Sequence, residues 1–354
     1  MVLGRKSERA SEQPVLHRLL PAASLPGGEV RIEGQGLKPP QAHLPEVHIG
    51  GQLGAILMSA SNAVIARVPE GALSGAVQVV LGSENGAGKS NSLHLDIAVP
   101  ITDNLHPVAN PAIDAQGAIF ATFSGSRGQT VPVSLFQVDT NYNVKPLGAA
   151  IVNPTGLAFD RGGTLYVSSR NDGSVYRVAP NGSAAVYAEG LGIATGLAFD
   201  HEENLYVGDR SGTIFKIDRN RNTFVFATLE PSVAAYHLAF GPDRYLYVTG
   251  PTTSSFDTVW RISPHGDVEP FFRGLGRPQG LAFDRNGDLY VVGSARGRRG
   301  VVRITRDGQA ELVISGYNLV GLAFARGPAL ILATNSGLFH LDWRTPGAAL
   351  PPEP

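Results

Sequence analysis

Two polar residues, Asn110 and His237, stand where four related stretches of the chain have glycine. The glycines are at positions 156, 196, 280 and 321, and each is followed by Leu-Ala-Phe. An imidazole can exchange a proton near neutral pH, and an amide can bind a polar ligand through both its oxygen and its nitrogen. These residue types predict a polar binding site. The favoured alternative is that both side chains fill the centre of the structure together with water.

The residues just before this position are also polar in most of the stretches. They can orient a small polar ligand, and His237 is the candidate general base among them. The predicted ligand-binding residues are Asn110, Asn153, Thr155, Thr195, Tyr236, His237 and Gln279. No catalytic residue is assigned. For Asn153, a role in the turn before a strand is the favoured alternative.

These positions belong to a repeat that organises residues 101–345. Its motif is Gly-Leu-Ala-Phe-Asp followed by Leu-Tyr-Val, with turn residues between the two halves. Six copies begin at 110, 156, 196, 237, 280 and 321, so successive copies start 40 to 46 residues apart. Short apolar strands at this period are typical of propeller blades, each a four-stranded sheet. The sequence therefore predicts a six-bladed β-propeller, with the loops at one end of its channel forming the binding mouth.

The sixth copy contains only three predicted strands, which end near Trp343. A propeller blade has four strands. We therefore expect the missing strand to come from the segment just before Asn110, near Ile101, which would close the ring non-covalently.

Residues 14–100 lack the repeat but alternate between apolar and polar residues in several short stretches. Residues 28–34 and 77–81 are examples, and about seven short strands fit into this segment. The pattern predicts a small Ig-like β-sandwich, so the whole chain is expected to be all-β. Residues 1–13 and 346–354 are predicted to be a disordered lead and a disordered tail.

The order of turns within residues 14–100 resembles a known family. The matching stretches are 26–28, 30–34, 47–51, 64–69 and 88–92. They resemble IPT/TIG immunoglobulin-like domains. This resemblance implies a spacer or binding module without catalytic residues.

The repeat motif is similar to that of NHL-repeat propellers and of the wider SMP-30/gluconolactonase-like group. Gluconolactonase-like enzymes hold a divalent metal in the channel with a Glu, an Asn and an Asp, so the resemblance implies Ca²⁺ or Mg²⁺. In that pattern the Asp follows the Leu-Tyr-Val strand, and only Asp209 matches it here. Asn153 supplies an Asn, but no Glu stands at the expected place in the first copy. A mixed site of His237, Asp209 and Asn153 is the remaining metal hypothesis, and no other cofactor is predicted.

One basic cluster, residues 296–300, has the sequence Arg-Gly-Arg-Arg-Gly and lies between the second and third strands of the fifth copy. Such a loop can hold a phosphate or an acidic partner. A solvated hairpin is the favoured interpretation, because the net charge of the chain is only −1.

Composition sets further limits. The net charge of −1 gives no bulk attraction to nucleic acid or to an anionic membrane, and the absence of cysteine excludes disulfides and thiol chemistry. No apolar run is long enough for a membrane span. The first residues lack the apolar core of a secretory signal. As written, the chain predicts a cytoplasmic protein, or an extracytoplasmic one if a signal was removed; the oligomeric state is not predicted.

Together these features favour a non-catalytic recognition or scaffold protein that binds a protein or saccharide ligand at the propeller mouth. The alternative is a metal-dependent hydrolase or lactonase of the SMP-30/gluconolactonase-like type. The first requires free polar groups at the mouth, whereas the second requires several oxygen ligands that converge on one point of the channel.

Overall fold

The computed structural model describes residues 13–38, 44–82 and 88–350. The chain divides into two compact units, residues 1–97 and 98–354, so the boundary follows Ile97 where the sequence predicted it after Pro100. All regular secondary structure in the described residues is β, as predicted. No helix in these ranges is long and apolar enough to cross a membrane. The predicted disordered lead, apart from residue 13, lies outside the described residues.

Nine strands lie in the described part of the N-terminal unit. They are β1 (Val15–Leu20), β2 (Ala23–Ser24), β3 (Glu29–Gln35), β4 (Glu46–Ile49), β5 (Gln52–Ser59), β6 (Ala63–Arg67), β7 (Gly75–Leu81), β8 (Gly88–Lys89) and β9 (Leu93–Ile97). Neighbouring strands follow the order β1-β3-β6-β5-β4-β7-β9. In addition, β8 pairs with β7 and β2 runs parallel to β9.

The alternating residues of these strands build the core of the N-terminal unit. In β3, Val30 and Ile32 are buried, while Arg31 between them is partly exposed. They join Val47 and Val79 in a single apolar cluster. Period-two alternation thus places one face of each strand in the core. The more specific assignment to an Ig-like IPT/TIG sandwich stays a prediction.

The described residues of the C-terminal unit form six four-stranded antiparallel sheets. The first sheet contains β11 (Ala112–Ile113), β12 (Ile119–Thr122), β13 (Leu135–Val138) and β14 (Val144–Leu147). The second contains β15 (Pro154–Phe159), β16 (Leu165–Ser169), β17 (Ser174–Val178) and β18 (Ala184–Ala188). The third contains β19 (Ala194–Phe199), β20 (Leu205–Asp209), β21 (Thr213–Ile217) and β22 (Thr223–Thr228). The fourth sheet contains β23 (His237–Phe240), β24 (Leu246–Thr249), β25 (Asp257–Ile262) and β26 (Val268–Leu275). The fifth contains β27 (Leu281–Phe283), β28 (Leu289–Ala295), β29 (Arg298–Ile304) and β30 (Ala310–Ser315). The sixth contains β31 (Leu319–Phe324), β32 (Ala329–Thr334), β33 (Leu338–Asp342) and β10 (Val99–Thr102).

The repeat motif explains how successive sheets pack. The tyrosine of Leu-Tyr-Val in one sheet meets the phenylalanine of Leu-Ala-Phe in the next, edge to face, as in Tyr166–Phe199 and Tyr206–Phe240, whose ring centroids are both 5.0 Å apart. Such T-shaped pairs are a favourable aromatic geometry. The first strands of successive sheets also contact one another, which places them around a central channel. The unit is a β-propeller.

The sheet that closes the ring combines the two ends of the unit. Its fourth strand, β10, pairs antiparallel with β33, with Val99 opposite His340 and Pro100 opposite Phe339. The expected donor segment ahead of Asn110 is thereby confirmed.

Part of the predicted disordered tail is bound to the propeller. The Arg285 N–H donates to the Pro346 carbonyl and the Ala348 N–H donates to the Phe283 carbonyl, each at 2.9 Å. Gly347 forms an isolated bridge with Asp284. Residues 346–348 therefore extend the fifth sheet instead of fraying, because their backbone groups find partners there. Residues 351–354 lie outside the described ranges.

Candidate functional site

The predicted ligand-binding residues lie at one end of the propeller, where the first strand of each sheet begins and the second ends. Pro154 at the start of β15 pairs with Ser169 at the end of β16, and Ala194 pairs with Asp209 in the next sheet. We call this end the mouth and the opposite end the turn end. Because antiparallel strands alternate in direction, the connections between second and third strands and between successive sheets also lie at the mouth.

The glycines at the head of the motif allow the first strands to approach one another. A Cβ on Gly156 would lie 2.3 Å from the Thr195 carbonyl oxygen, and one on Gly196 would lie 2.5 Å from that of Tyr236. Real Cβ atoms do not tolerate such distances, so these positions require glycine for packing. The two exceptions, Asn110 and His237, must therefore be accommodated in other ways.

Asn110 joins three sheets through its side-chain amide. Its Nδ2 donates to the Leu281 carbonyl at 2.8 Å, and its Oδ1 accepts the Leu322 N–H at 3.1 Å. Leu281 begins β27 of the fifth sheet, and Leu322 lies within β31 of the sixth sheet. The amide thus satisfies backbone groups near the channel, and no hydrogen bond joins Asn110 to His237 in the described structure.

His237 begins β23 and is only 3% exposed. Its ring makes no hydrogen bond to another residue in the described ranges. Burial lowers the pKa of His237 to about 4, because the charged imidazolium is poorly solvated there. The expectation that its charge changes near neutral pH is therefore wrong, and the imidazole is neutral at pH 7.

Thr155, Thr195 and Tyr236 are buried beside the heads and bind mainly the backbone. The Thr195 hydroxyl donates to the Gly208 carbonyl at 2.8 Å and accepts the Tyr236 N–H at 3.1 Å. The Thr155 hydroxyl donates to the Asn153 carbonyl at 3.3 Å. The Tyr236 hydroxyl donates to the Glu230 carbonyl, and burial raises the pKa of Tyr236. The structure brings these residues together as a packed layer.

Asn153 holds a neighbouring loop. Its Nδ2 donates to the carbonyls of Gly125 and Ser126, both at 2.9 Å, and its Oδ1 accepts the Gly128 N–H at 2.6 Å. Its φ is +47°, and the equivalent residues Arg277 and Asn318 have φ of +47° and +59°. This left-handed turn accounts for the asparagine, as the favoured alternative expected.

Asp209 closes a turn at the end of β20. Its Oδ1 accepts the N–H of Ile193 at 2.8 Å and that of Ser211 at 3.1 Å, while its Oδ2 accepts the Ser211 hydroxyl. At the same position of other sheets, the Ser169 and Thr334 hydroxyls accept the N–H two residues further on. Asp209 thus makes the same hydrogen bond to the turn backbone that Ser169 and Thr334 make in their sheets.

These contacts do not fit a Ca²⁺ or Mg²⁺ site, which requires several oxygen atoms directed at one point. The Oδ1 atoms of Asp209 and Asn153 already accept backbone N–H groups, and the Asp209 Oδ2 accepts the Ser211 hydroxyl. In the part of the chain that the structure describes, no three His, Asp or Glu side chains come together in a metal-binding group.

A cavity of about 350 Å³ opens at the mouth between the fifth and sixth sheets, within the size range of small-molecule sites. Its polar lining side chains are Arg277, Gln279, Ser294, Arg299, Asn318 and Asn335. Gln279 is the predicted site residue that reaches this cavity. Its side chain makes no hydrogen bond to the described protein, so its amide is available to a ligand.

Sequence reasoning missed Ser294, Arg299 and Asn335. Ser294 and Asn335 stand one residue after the position that was compared with the metal-binding Asp, so a signal was present one place further along. Arg299 belongs to the basic loop, which does form a tight hairpin: Ala295 pairs with Arg298 across Arg296 and Gly297. The Arg299 guanidinium packs over the Tyr317 ring at 5.8 Å.

A second cavity, of about 250 Å³, lies against the outer strands of the first sheet. Its lining contains Pro132, Pro146 and Ile151 among apolar and backbone groups, and no charged side chain. The cavity between the fifth and sixth sheets is therefore the better candidate for a polar ligand.

No protein-family model matches this sequence, and no curated protein matches it. Several solved structures share its fold. A candidate gluconolactonase superposes with a TM-score of 0.58 at 16% identity, covering 71% of this chain and 93% of its own. A gluconolactonase from Xanthomonas campestris has a TM-score of 0.56 at 18% identity, covering 70% and 89%. An auxiliary nutrient binding protein from Bacteroides ovatus has a TM-score of 0.52 at 13% identity, covering 93% and 98%. At these identities the likeness establishes the propeller fold alone.

Proposed function

We propose that this protein is a non-catalytic recognition protein that binds a saccharide in the mouth of a six-bladed, NHL-like propeller. The observation that carries the proposal is the cavity of about 350 Å³ between the fifth and sixth sheets, lined by Gln279, Asn318 and Asn335. Amide groups donate and accept hydrogen bonds in one plane, which suits the adjacent hydroxyls of a sugar. In this proposal the N-terminal unit is an Ig-like IPT/TIG domain that serves as a spacer or second binding module.

The comparisons support a binding function without assigning it. The auxiliary nutrient binding protein aligns over 93% of this chain, whereas the X. campestris gluconolactonase aligns over 70%. Because the structures that share the fold include both binding proteins and enzymes, the lining of the cavity, and not the extent of the alignment, is what favours recognition over lactone hydrolysis.

A lactonase is the second candidate, because two of the similar structures are described as gluconolactonases, one of them a candidate. The observed contacts weigh against it. Asp209 and Asn153 are engaged in turn and loop hydrogen bonds, and so neither offers free oxygens to a metal.

The proposal is tested by isothermal titration of the whole protein with a panel of mono- and disaccharides. The affinity for any sugar that binds should fall about tenfold or more in Gln279→Ala or Asn335→Ala, since each loses a hydrogen bond to the ligand and leaves a polar group unpaired. Gln309→Ala is the matched control, because Gln309 is exposed at the turn end of the same sheet.

Three outcomes would contradict saccharide recognition. One is that no sugar binds, and another is that Gln309→Ala weakens binding as much as Gln279→Ala. The third is hydrolysis of a sugar lactone that depends on Ca²⁺ or Mg²⁺ and disappears in Asp209→Asn. That last result would establish the lactonase instead.

A further inference from the structure

The mouth carries a second group of polar residues, on the first three sheets, away from the cavity between the fifth and sixth. Arg170 follows β16 and Arg210 follows β20, so the two occupy equivalent positions in neighbouring sheets. Arg127 lies in the mouth loop between β12 and β13 of the first sheet. Three consecutive sheets thus each contribute one arginine to the same end of the propeller.

Hydrogen bonds to backbone carbonyls hold the side chains of Arg170 and Arg210. The Arg170 Nη2 donates to the Gly125 carbonyl at 3.2 Å, which also accepts the Asn153 Nδ2 at 2.9 Å. Asn153 in turn holds the N–H of Gly128, next to Arg127. The Arg210 Nε donates to the Ser232 carbonyl at 3.2 Å. Because neutral carbonyls hold two of the guanidinium groups, their charges are positioned without being neutralised.

No carboxylate within the described ranges forms an ion pair with Arg127, Arg170 or Arg210. This differs from other arginines of the chain, which pair with glutamates across strands, as Arg261 does with Glu269 at 2.7 Å and Arg303 with Glu311 at 3.4 Å.

The carboxylates nearest in sequence are engaged elsewhere. Asp172 accepts the Tyr176 hydroxyl at 2.7 Å and the Ser174 N–H at 3.1 Å. Asp209 caps its own turn.

Arg170 shows the electrostatic consequence most clearly. Its Nε is buried and has no hydrogen-bond partner in the described structure. Burial, followed by repulsion from Arg210 and Arg127, lowers the pKa of Arg170. A buried donor without a partner and three like charges in one region cost free energy unless something compensates them.

We propose that Arg127, Arg170 and Arg210 form a binding site for an oxyanion group, a carboxylate or a phosphate, of a small ligand. An oxyanion accepts hydrogen bonds from the fork of several guanidinium groups at once. Its negative charge also relieves the repulsion among the three guanidinium groups. The site lies on sheets other than those of the proposed saccharide cavity, so it does not depend on that function.

The test is thermal unfolding and titration calorimetry of the full chain with inorganic phosphate and, separately, with glucuronate, at constant ionic strength. We expect at least one anion to raise the melting temperature in a saturable manner. Its affinity should fall about tenfold or more in Arg170→Gln and in Arg127→Gln, because each removes a charged donor. Binding of phosphate alone, or of glucuronate alone, decides which oxyanion the site takes.

Arg326→Gln is the matched control, since Arg326 is an exposed arginine at the turn end. Arg127 is also exposed, so Arg127→Gln should fold normally even if Arg170→Gln does not. The proposal is overturned if neither anion binds saturably, or if Arg326→Gln weakens binding as much as Arg127→Gln does. It also fails if binding survives in Arg127→Gln and in folded Arg170→Gln.

Discussion

The aspartates at the turn end and three arginines at the mouth differ in whether the fold supplies them with partners of complementary character. At the turn end, the aspartate that closes each Leu-Ala-Phe-Asp motif is engaged by its own turn. Asp200 is the clearest case: it accepts the N–H groups of Glu202 at 2.9 Å and Asn204 at 2.8 Å, the Asn204 Nδ2 at 2.8 Å and the Tyr206 hydroxyl at 3.2 Å. At the mouth, Arg127, Arg170 and Arg210 have no carboxylate partner among the described residues.

This difference separates architecture from recognition. The turn-end aspartates recur from sheet to sheet, as in Asp114 and Asp160, whose carboxylates also accept the N–H four residues further on. The aspartate is present in four of the six sheets, at 114, 160, 200 and 284, and a residue that recurs in this way serves a shared structural need, namely the turn. The mouth residues change from sheet to sheet, which suits an irregular ligand better than a regular ring.

The largest effect is expected for Asp200→Ala at the turn end. The substitution removes four hydrogen bonds and leaves the buried Tyr206 hydroxyl without this acceptor. The free energy of unfolding should therefore fall by about 4 kcal/mol. Urea denaturation measures the change. Asp307→Ala at the same end is the control, since Asp307 is exposed. If the free energy of unfolding falls by the same small amount in both variants, the fold does not depend on the turn-end carboxylates.

A smaller, pH-dependent effect is expected for His237→Gly at the mouth. The pKa of His237 is about 4 in the folded protein, against 6.5 for the free group. Below about pH 6.5 the unfolded chain therefore binds a proton that the folded protein does not. The free energy of unfolding should fall by about 3 kcal/mol as the pH decreases from 7 to 4.

His237→Gly removes this contribution, so its stability should depend less steeply on pH, while the fold persists because sister sheets have glycine there. Urea denaturation at several pH values between 7 and 4 compares the two proteins. His201→Gln at the turn end serves as the control and should retain the slope of the unmodified protein. An unchanged slope in His237→Gly would refute the buried neutral imidazole.

The smallest effect is expected for Arg127→Gln. Repulsion among the mouth arginines is screened by salt, so the unmodified protein should gain a few tenths of a kcal/mol in stability as sodium chloride is raised. Arg127→Gln should gain less, and Arg326→Gln should behave like the unmodified protein. Melting temperatures across a salt series measure this. If the melting temperatures of the unmodified protein, Arg127→Gln and Arg326→Gln depend equally on salt, the mouth arginines do not repel one another measurably.

The sequence by itself determined the all-β fold, the positions of the six motif copies and the strand that closes the ring. Strands β15, β19, β23 and β31 begin within two residues of the motif heads at 156, 196, 237 and 321. The physical reason is local: each copy must bury Leu-Ala-Phe and Leu-Tyr-Val against its neighbours, so the same pattern recurs wherever a sheet forms.

Only the tertiary structure decided which polar side chains remain available. The Asn110 side chain hydrogen-bonds the backbone of Leu281 and Leu322, which lie 171 and 212 residues away. The Asn153 side chain hydrogen-bonds a loop about 25 residues earlier in the chain. No periodic pattern encodes such partners, because they depend on which loops the closed ring brings together. Arg170 and Arg210 are one repeat apart, so the period of the motif already places both at the same end of the propeller. Arg127 lies in a loop outside the motif, and only the folded first sheet places it at that end as well.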